Sequence, residues 1–245
     1  MINRRRRLIG NVIVLEKLFY LEIVMTKKAL LILVTLLAAP LTVNAEDLRD
    51  AVREGNIERA KQLLETGADP DSFEKGQGIP IIVDAIESPA IVKLLIDHGA
   101  NLKRRISFMG PGAGSGWRLG FQATALHYAV LKGNPRSVRL LINAGLDASA
   151  TDSEGQTPLH IALLAENNRS GLELPYVEIV QLLLDNDTSL ILADRENRTP
   201  HKLAEEIGSP KELIALIEAK QGEINARFRA VSMDAAKTSS VAKTR

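Results

Sequence analysis

Cysteine is absent from the 245-residue chain, and that one absence removes several possibilities. Without a thiol there is no disulfide framework, no thiolate metal site, no cysteine nucleophile and no lipid-anchored lipoprotein terminus. Aromatic residues are scarce, at 4% with a single tryptophan. Rings cannot fill the core, so aliphatic side chains on thin, closely packed elements must close it. A large excess of one charge is also missing, since the net charge is +1, but the balance is uneven along the chain. Of the 31 Lys and Arg, seven fall in residues 1–45 (Arg4 to Arg7, Lys17, Lys27, Lys28), against two of the 30 Asp and Glu (Glu16, Glu22). The remainder carries 24 basic and 28 acidic side chains, a net of −4. That is not the basic footprint of a nucleic-acid binder.

Catalytic signatures are missing too. There is no Gly-x-Ser-x-Gly elbow, and none of the four histidines forms an H-x-x-x-H pair, so neither a serine nucleophile nor a helical metal site is indicated. The glycine-rich stretch near residue 112 lacks the Gly-Lys-Ser/Thr ending of a phosphate loop. No catalytic, cofactor or metal residue is expected. Acidic clusters such as Asp69-Pro70-Asp71 and Asp152-Ser153-Glu154 read as turn formers rather than carboxylate pairs. A hydrolase or small-ligand binder built into the irregular segments is the competing class.

The beginning of the chain reads as an address. From Met25 the order is Thr26-Lys27-Lys28, an apolar run from Ala29 to Ala39, Pro40, and small residues at Val43 and Ala45. This is the order of a secretory signal peptide, too short in its apolar part to span a bilayer of about 30 Å. Cleavage is expected after Ala45, with residues 1–24 as an upstream extension and Met25 as the more natural start. An uncleaved anchor is the other reading, but Asn11, Glu16, Lys17 and Glu22 interrupt the apolar stretch Leu8 to Ile23. The expected location is the periplasm, with inner-membrane anchoring or release outside the cell as alternatives, and no stable membrane insertion follows cleavage.

What is plentiful is repetition. Thr124-Ala125-Leu126-His127-Tyr128-Ala129 returns 33 residues later as Thr157-Pro158-Leu159-His160-Ile161-Ala162. A second motif recurs as Ile91-Val92-Lys93-Leu94-Leu95-Ile96-Asp97-His98-Gly99, as Ser137 through Gly145, and as Ile179 through Asp187, with a more polar copy ending at Gly67. Threonine can cap the first helix of each unit, a following proline fits the first turn, and glycine after the second helix permits a left-handed exit. Small Ala129, Ala162 and Ala204 allow close helix approach, Leu140 and Leu141 fill the gap between units, and in the first unit Ala51, Ile57, Leu63 and Leu64 form the buried stripe around a Gly55-Asn56 turn.

The period and the T-P-L-H-x-A pattern identify the chain as resembling the ankyrin-repeat family, and in particular its exported bacterial members. The resemblance implies an all-α solenoid of about five helix-turn-helix repeats with hairpin fingers, over residues 46–221. The expected repeats are 46–78, 80–102, 124–156, 157–198 and 199–221, the first with a charged outer face and the last short and polar-faced, as caps. In the family the motif histidine braces neighbouring loops by hydrogen bonds, so His127 and His160, with Thr124, Thr157 and Thr199, are expected to be structural. His98 lies at another common histidine position; His201 is one place off, with Lys202 where His would stand. Residues 222–245 are expected to be a tail, helical through Phe228 and then frayed.

Two interruptions stand out. Gly99 to Thr124 spans 25 residues where 12 would do, and the insertion at 103–120 holds Arg104, Arg105, Phe108, Met109, Trp117 and Arg118, residue types that anchor interfaces. It reads either as an extended finger reaching a partner or as a flap folding back over helix ends. Thr157 to Thr199 is nine residues longer than the period, with the extra loop at 167–175. The expected activity is therefore protein binding through the concave face and this finger, by a chain that is monomeric alone. An immunity or inhibitor protein for a secreted toxic enzyme, and an accessory protein supporting a periplasmic enzyme under oxidative stress, are the two versions.

Overall fold

The computed structural model describes residues 45–72, 79–106, 121–167 and 175–242. The expected signal peptide and upstream extension lie outside the described residues, as do most of the 103–120 and 167–175 insertions.

Among the described residues the chain is all-helical, and the helices pair in chain order. They are α1 (Ala45–Arg53) with α2 (Ile57–Glu65), α3 (Ile81–Asp84) with α4 (Pro89–Asp97), α5 (Ala125–Lys132) with α6 (Pro135–Asn143), α7 (Pro158–Asn167) with α8 (Pro175–Asp185), and α9 (Pro200–Glu206) with α10 (Lys211–Ala242). The first helix of each pair packs on the first helices of its neighbours, and the second helices form a parallel stack of their own. The core lies between these two layers.

Local chemistry sets the boundaries. Thr124 and Thr199 stand before α5 and α9 and accept the backbone N–H three residues on, from His127 and Lys202; Asn56 and Asn134 do the same for α2 and α6. Such caps contribute about 1 kcal/mol each. Prolines open α4, α6 and α9 in the first turn, where a missing N–H does no harm. The second helices exit through residues with positive φ: Gly67 (99°), Gly99 (84°), Gly145 (91°) and, after α8, Asp187 (55°). Aspartate is one of the few side chains that tolerates this region, so the last exit keeps its shape without glycine.

Packing is aliphatic. Leu126, Ala129, Leu141, Leu159, Ala162, Leu183 and Ala204 have no exposed surface, and each buried leucine contributes roughly 1.5–3 kcal/mol. The alanines let paired helices close on each other. Leu141 is buried while Leu140 is half-buried, and in the first pair Ala51 and Leu64 are buried with Leu63 half-buried. Ile57 departs from expectation. It begins α2 with its side chain 42% exposed, on the solvent side of the terminal pair. The tail departs as well: α10 passes unbroken through Gly222 and Phe228 to Ala242, with no proline in 222–242 to break a helix already nucleated on the solenoid.

Candidate interaction surface

Two of the fingers are short turns, each built on one aspartate. Asp152 Oδ1 accepts the N–H groups of Glu154 (2.8 Å) and Gln156 (2.9 Å), and Asp194 Oδ1 accepts those of Glu196 (3.0 Å) and Arg198 (2.9 Å). The Asp152 cluster is thus a turn, not a carboxylate pair. Arg198 also holds Asp194 from the side, Nη2 to Oδ2 at 2.7 Å. Burial opposes ionisation of Asp194, but the bonds and charge of Arg198 overcome it and hold the carboxyl below its ordinary range.

The fingers are stitched to one another through the backbone. Ser153 N–H donates to Phe121 O at 2.6 Å, and Arg195 N–H to Glu154 O at 2.9 Å. Gly155, at φ 74°, lies so close to the next finger that an added Cβ would stand 3.1 Å from Ala193 O. An isolated antiparallel bridge joins Ile106 to Ala123, closing the base of the 103–120 segment.

The histidines complete this stitching. His127 is fully buried; its Nδ1 accepts Thr124 N–H at 3.1 Å, which leaves the proton on Nε2 to be donated to Gln156 O at 3.0 Å. His160 repeats the arrangement with Thr157 N–H (3.1 Å) and Arg198 O (2.9 Å). Burial pushes the His127 imidazole down to about 4, with the positive charge of Arg105 adding to the effect, and burial lowers His160 too. Both are neutral braces between one unit and the next finger. His201 is on the surface, 3.4 Å from Glu218 and 3.6 Å from Glu205, and His98 is exposed at the end of α4.

Arginines perform the same task nearer the N-terminal end, a role that their residue type does not signal in the sequence. Aligning Ala51 with Ala129 puts Arg49 at the motif histidine's place. Its guanidinium, only 5% exposed, donates to Ile79 O at 2.8 Å and Ser72 O at 3.2 Å and pairs with the Asp84 carboxylate. Ile79 precedes Pro80 as Gln156 precedes Thr157 and Arg198 precedes Thr199, so all three braces reach the same register. In the next unit Val83 occupies the histidine place and offers no donor. Arg105 comes from the finger base instead, donating to Gln122 O (2.9 Å) and Thr151 O (2.7 Å). Arg104 donates to Asp71 O at 3.0 Å.

Of the six anchor residues expected in the insertion, Arg104 and Arg105 are thus engaged with neighbouring backbone. Phe108, Met109, Trp117 and Arg118 lie outside the described residues. A cleft of about 540 Å³ opens at the root of the insertion, with Leu102, Ala144, Leu146 and Ala150 as its apolar lining and Lys103, Arg105 and Asp147 as its charged groups. The C-terminal ends of the first helices, which contribute nothing to the cleft's lining, carry charges of both signs. Arg53 lies 3.6 Å from Asp84, and Lys132 lies 2.8 Å from Glu87. The hydrogen bond and charge of Lys132 lower the Glu87 pKa, while burial raises those of Tyr128 and Glu166. Among the described residues no group of three or more His, Asp or Glu is placed to hold a metal ion, and no helix is long and apolar enough to cross a membrane.

Comparison with known proteins agrees with this architecture. The family model for ankyrin repeats in three copies matches residues 48–152 and again 106–189. An ankyrin repeat protein of Rickettsia bellii is 27% identical over 191 residues, covering 74% of this chain and 68% of the relative. E3 ubiquitin-protein ligase KEG of Arabidopsis thaliana is 34% identical over 115 residues, 46% of this chain and 6% of that protein. Human protein phosphatase 1 regulatory subunit 27 is 29% identical over 111 residues, 44% of this chain and 64% of the subunit. The chain spans only a small part of the plant ligase, so the likeness to an enzyme is a likeness between repeats and not between catalytic domains. With the stacked helix pairs, the capped fingers and a family match over more than half its length, the chain belongs to the ankyrin-repeat family, whose members serve as scaffolds for protein–protein interaction.

Proposed function

We infer that this protein is a periplasmic binding module that grips one protein partner between its first-helix face and the 103–120 finger, each helix pair serving as one repeat. The observation that carries this reading is the cleft at the root of the finger. Its apolar lining and flanking Lys103, Arg105 and Asp147 suit a partner's apolar side chain bordered by charge, in the manner of an interface with an apolar centre and a polar rim. Export is supported by the signal-peptide order of residues 25–45, where cleavage after Ala45 would fall just ahead of the first repeat expected from Glu46. An immunity or inhibitor role against a secreted enzyme fits a surface built to bind without catalysing; support of a periplasmic enzyme under stress is the second version.

Affinity purification from the periplasm of cells expressing the full sequence tests this, using Phe108→Ala with Trp117→Ala and leaving Arg105 intact because its guanidinium is used inside the solenoid. The expected result is a processed chain beginning at Glu46, with one stoichiometric partner lost in the double variant. Capture that the double variant leaves unchanged would remove the finger from the interface, and an unprocessed cytoplasmic chain would remove the location.

A further inference from the structure

The second helices of the earlier pairs run for nine residues in α2, α4 and α6 and eleven in α8, whereas α10 runs for 32. Its first three turns act as a repeat helix, with Leu213 and Ile217 buried where α10 packs on α8 and α9. About twenty residues of helix follow, roughly 30 Å of additional length.

The buried face does not stop where the solenoid stops. From Ile217 it continues through Ile224, Phe228 and Val231, at spacings of seven, four and three, which keep the four side chains within about 60° of each other around the helix. Ile224 is half-buried, while Phe228 is 73% and Val231 69% exposed. Ile191, 78% exposed, stands close by at a cleft of about 600 Å³ that α10 shares with the preceding finger, lined also by Leu190, Ile217, Gln221 and Asn225.

The width of this stripe identifies its occupant. Two apolar positions in each seven form the seam of a two-helix coil, whereas a helix buried in a core or lying in a lipid surface presents a broader apolar face. Its borders carry both signs, Glu218 and Glu223 with Lys220, Arg227 and Arg229, so the surface does not repel a copy of itself. The overhang also contains Gly222, and a free helix with a glycine in it is marginal in water. It calls for a partner.

We propose that the overhang of α10 pairs with the α10 overhang of a second copy, making an antiparallel homodimer. The direction follows from space. The protein's own solenoid covers this face as far as Ile217, so a partner helix can lie only along the distal part. A parallel partner would bring both solenoids to the same end of the same face. An antiparallel one places them at opposite ends, sets Phe228 of each copy against Val231 of the other, and is self-complementary under a twofold axis. The dimer replaces the monomer expected from the sequence and leaves the first-helix face open for a different protein.

Sedimentation equilibrium of the protein expressed from its full sequence, across the micromolar range, tests the assignment. The expected result is twice the chain mass for the natural protein, with dissociation favoured about 30-fold or more in Phe228→Ala, and a monomer with an unchanged helical spectrum in Phe228→Glu with Val231→Glu. A natural protein that stays monomeric, or a double variant that still dimerises, overturns it. So does Phe228-dependent binding to phosphatidylglycerol vesicles by a monomeric chain, which would assign the stripe to a lipid surface.

Discussion

The two ends of the solenoid solve one mechanical problem with different chemistry. Three of the units reach the carbonyl just ahead of the next first helix with a side chain at the same place. Near the N-terminal end Arg49 does so with a guanidinium that stays charged at any ordinary pH; farther along, His127 and His160 do so with imidazoles that must be neutral. A charged brace has to be matched by an anion, and Asp84 supplies it. A neutral brace needs no counterion but can be disabled by a proton. Equivalent geometry therefore carries different vulnerabilities.

The largest effect is expected from breaking the charged brace. Arg49→Met leaves Asp84 with Arg53 at 3.6 Å and strips the Ile79 carbonyl of its donor, and should lower unfolding stability by about 3 kcal/mol, read from the denaturant midpoint at neutral pH. Arg105→Met, whose guanidinium is exposed, should lower it by only about 1 kcal/mol; equal losses would erase the distinction between buried and exposed braces.

Acid should act on the other end. The His127 pKa is about 4 in the folded chain and ordinary, near 6.5, when unfolded, so the unfolded state takes up the extra proton. Stability is then full above about pH 6.5 and falls as pH drops toward 4. His127 alone accounts for a loss of about 2 kcal/mol between pH 7 and 5, and the lowered pKa of His160 adds in the same direction. His127→Gln, less stable at neutral pH, should show a shallower decline across this window. A slope identical to that of the natural protein would mean that His127 is not the acid-sensitive group.

The smallest effect should appear in the overhang. An added Cβ at Gly222 meets nothing within 4 Å, so Gly222→Ala should raise helix stability by up to about 1 kcal/mol, seen as a higher melting temperature of α10. A decrease would show that Gly222 is held close to another surface.

Much of this was legible in the sequence because it rests on local rules. Thr124, Pro158, Gly145 and the alanines each stand where a cap, a first turn, an exit or a close contact demands them. Arg49 was missed because a motif search looks for the residue type, histidine, and not for the donor role, which an arginine in the same register also fills. Arg105 was legible as a basic residue but not as a brace, since its acceptors lie 17 and 46 residues away. The length of α10 was hidden by a Lys-, Ser- and Thr-rich composition that resembles a frayed end, although its apolar spacing of seven, four and three was already there to be counted.

The finger stitches carry one more consequence. Ser153 and Arg195 give their amide protons to carbonyls in the preceding finger, those of Phe121 and Glu154, and not to their own turn. Such a proton exchanges with solvent only when two adjacent units part. These two amides therefore act as paired clocks, one at each of two successive junctions, and their relative exchange rates would reveal which of the two parts first.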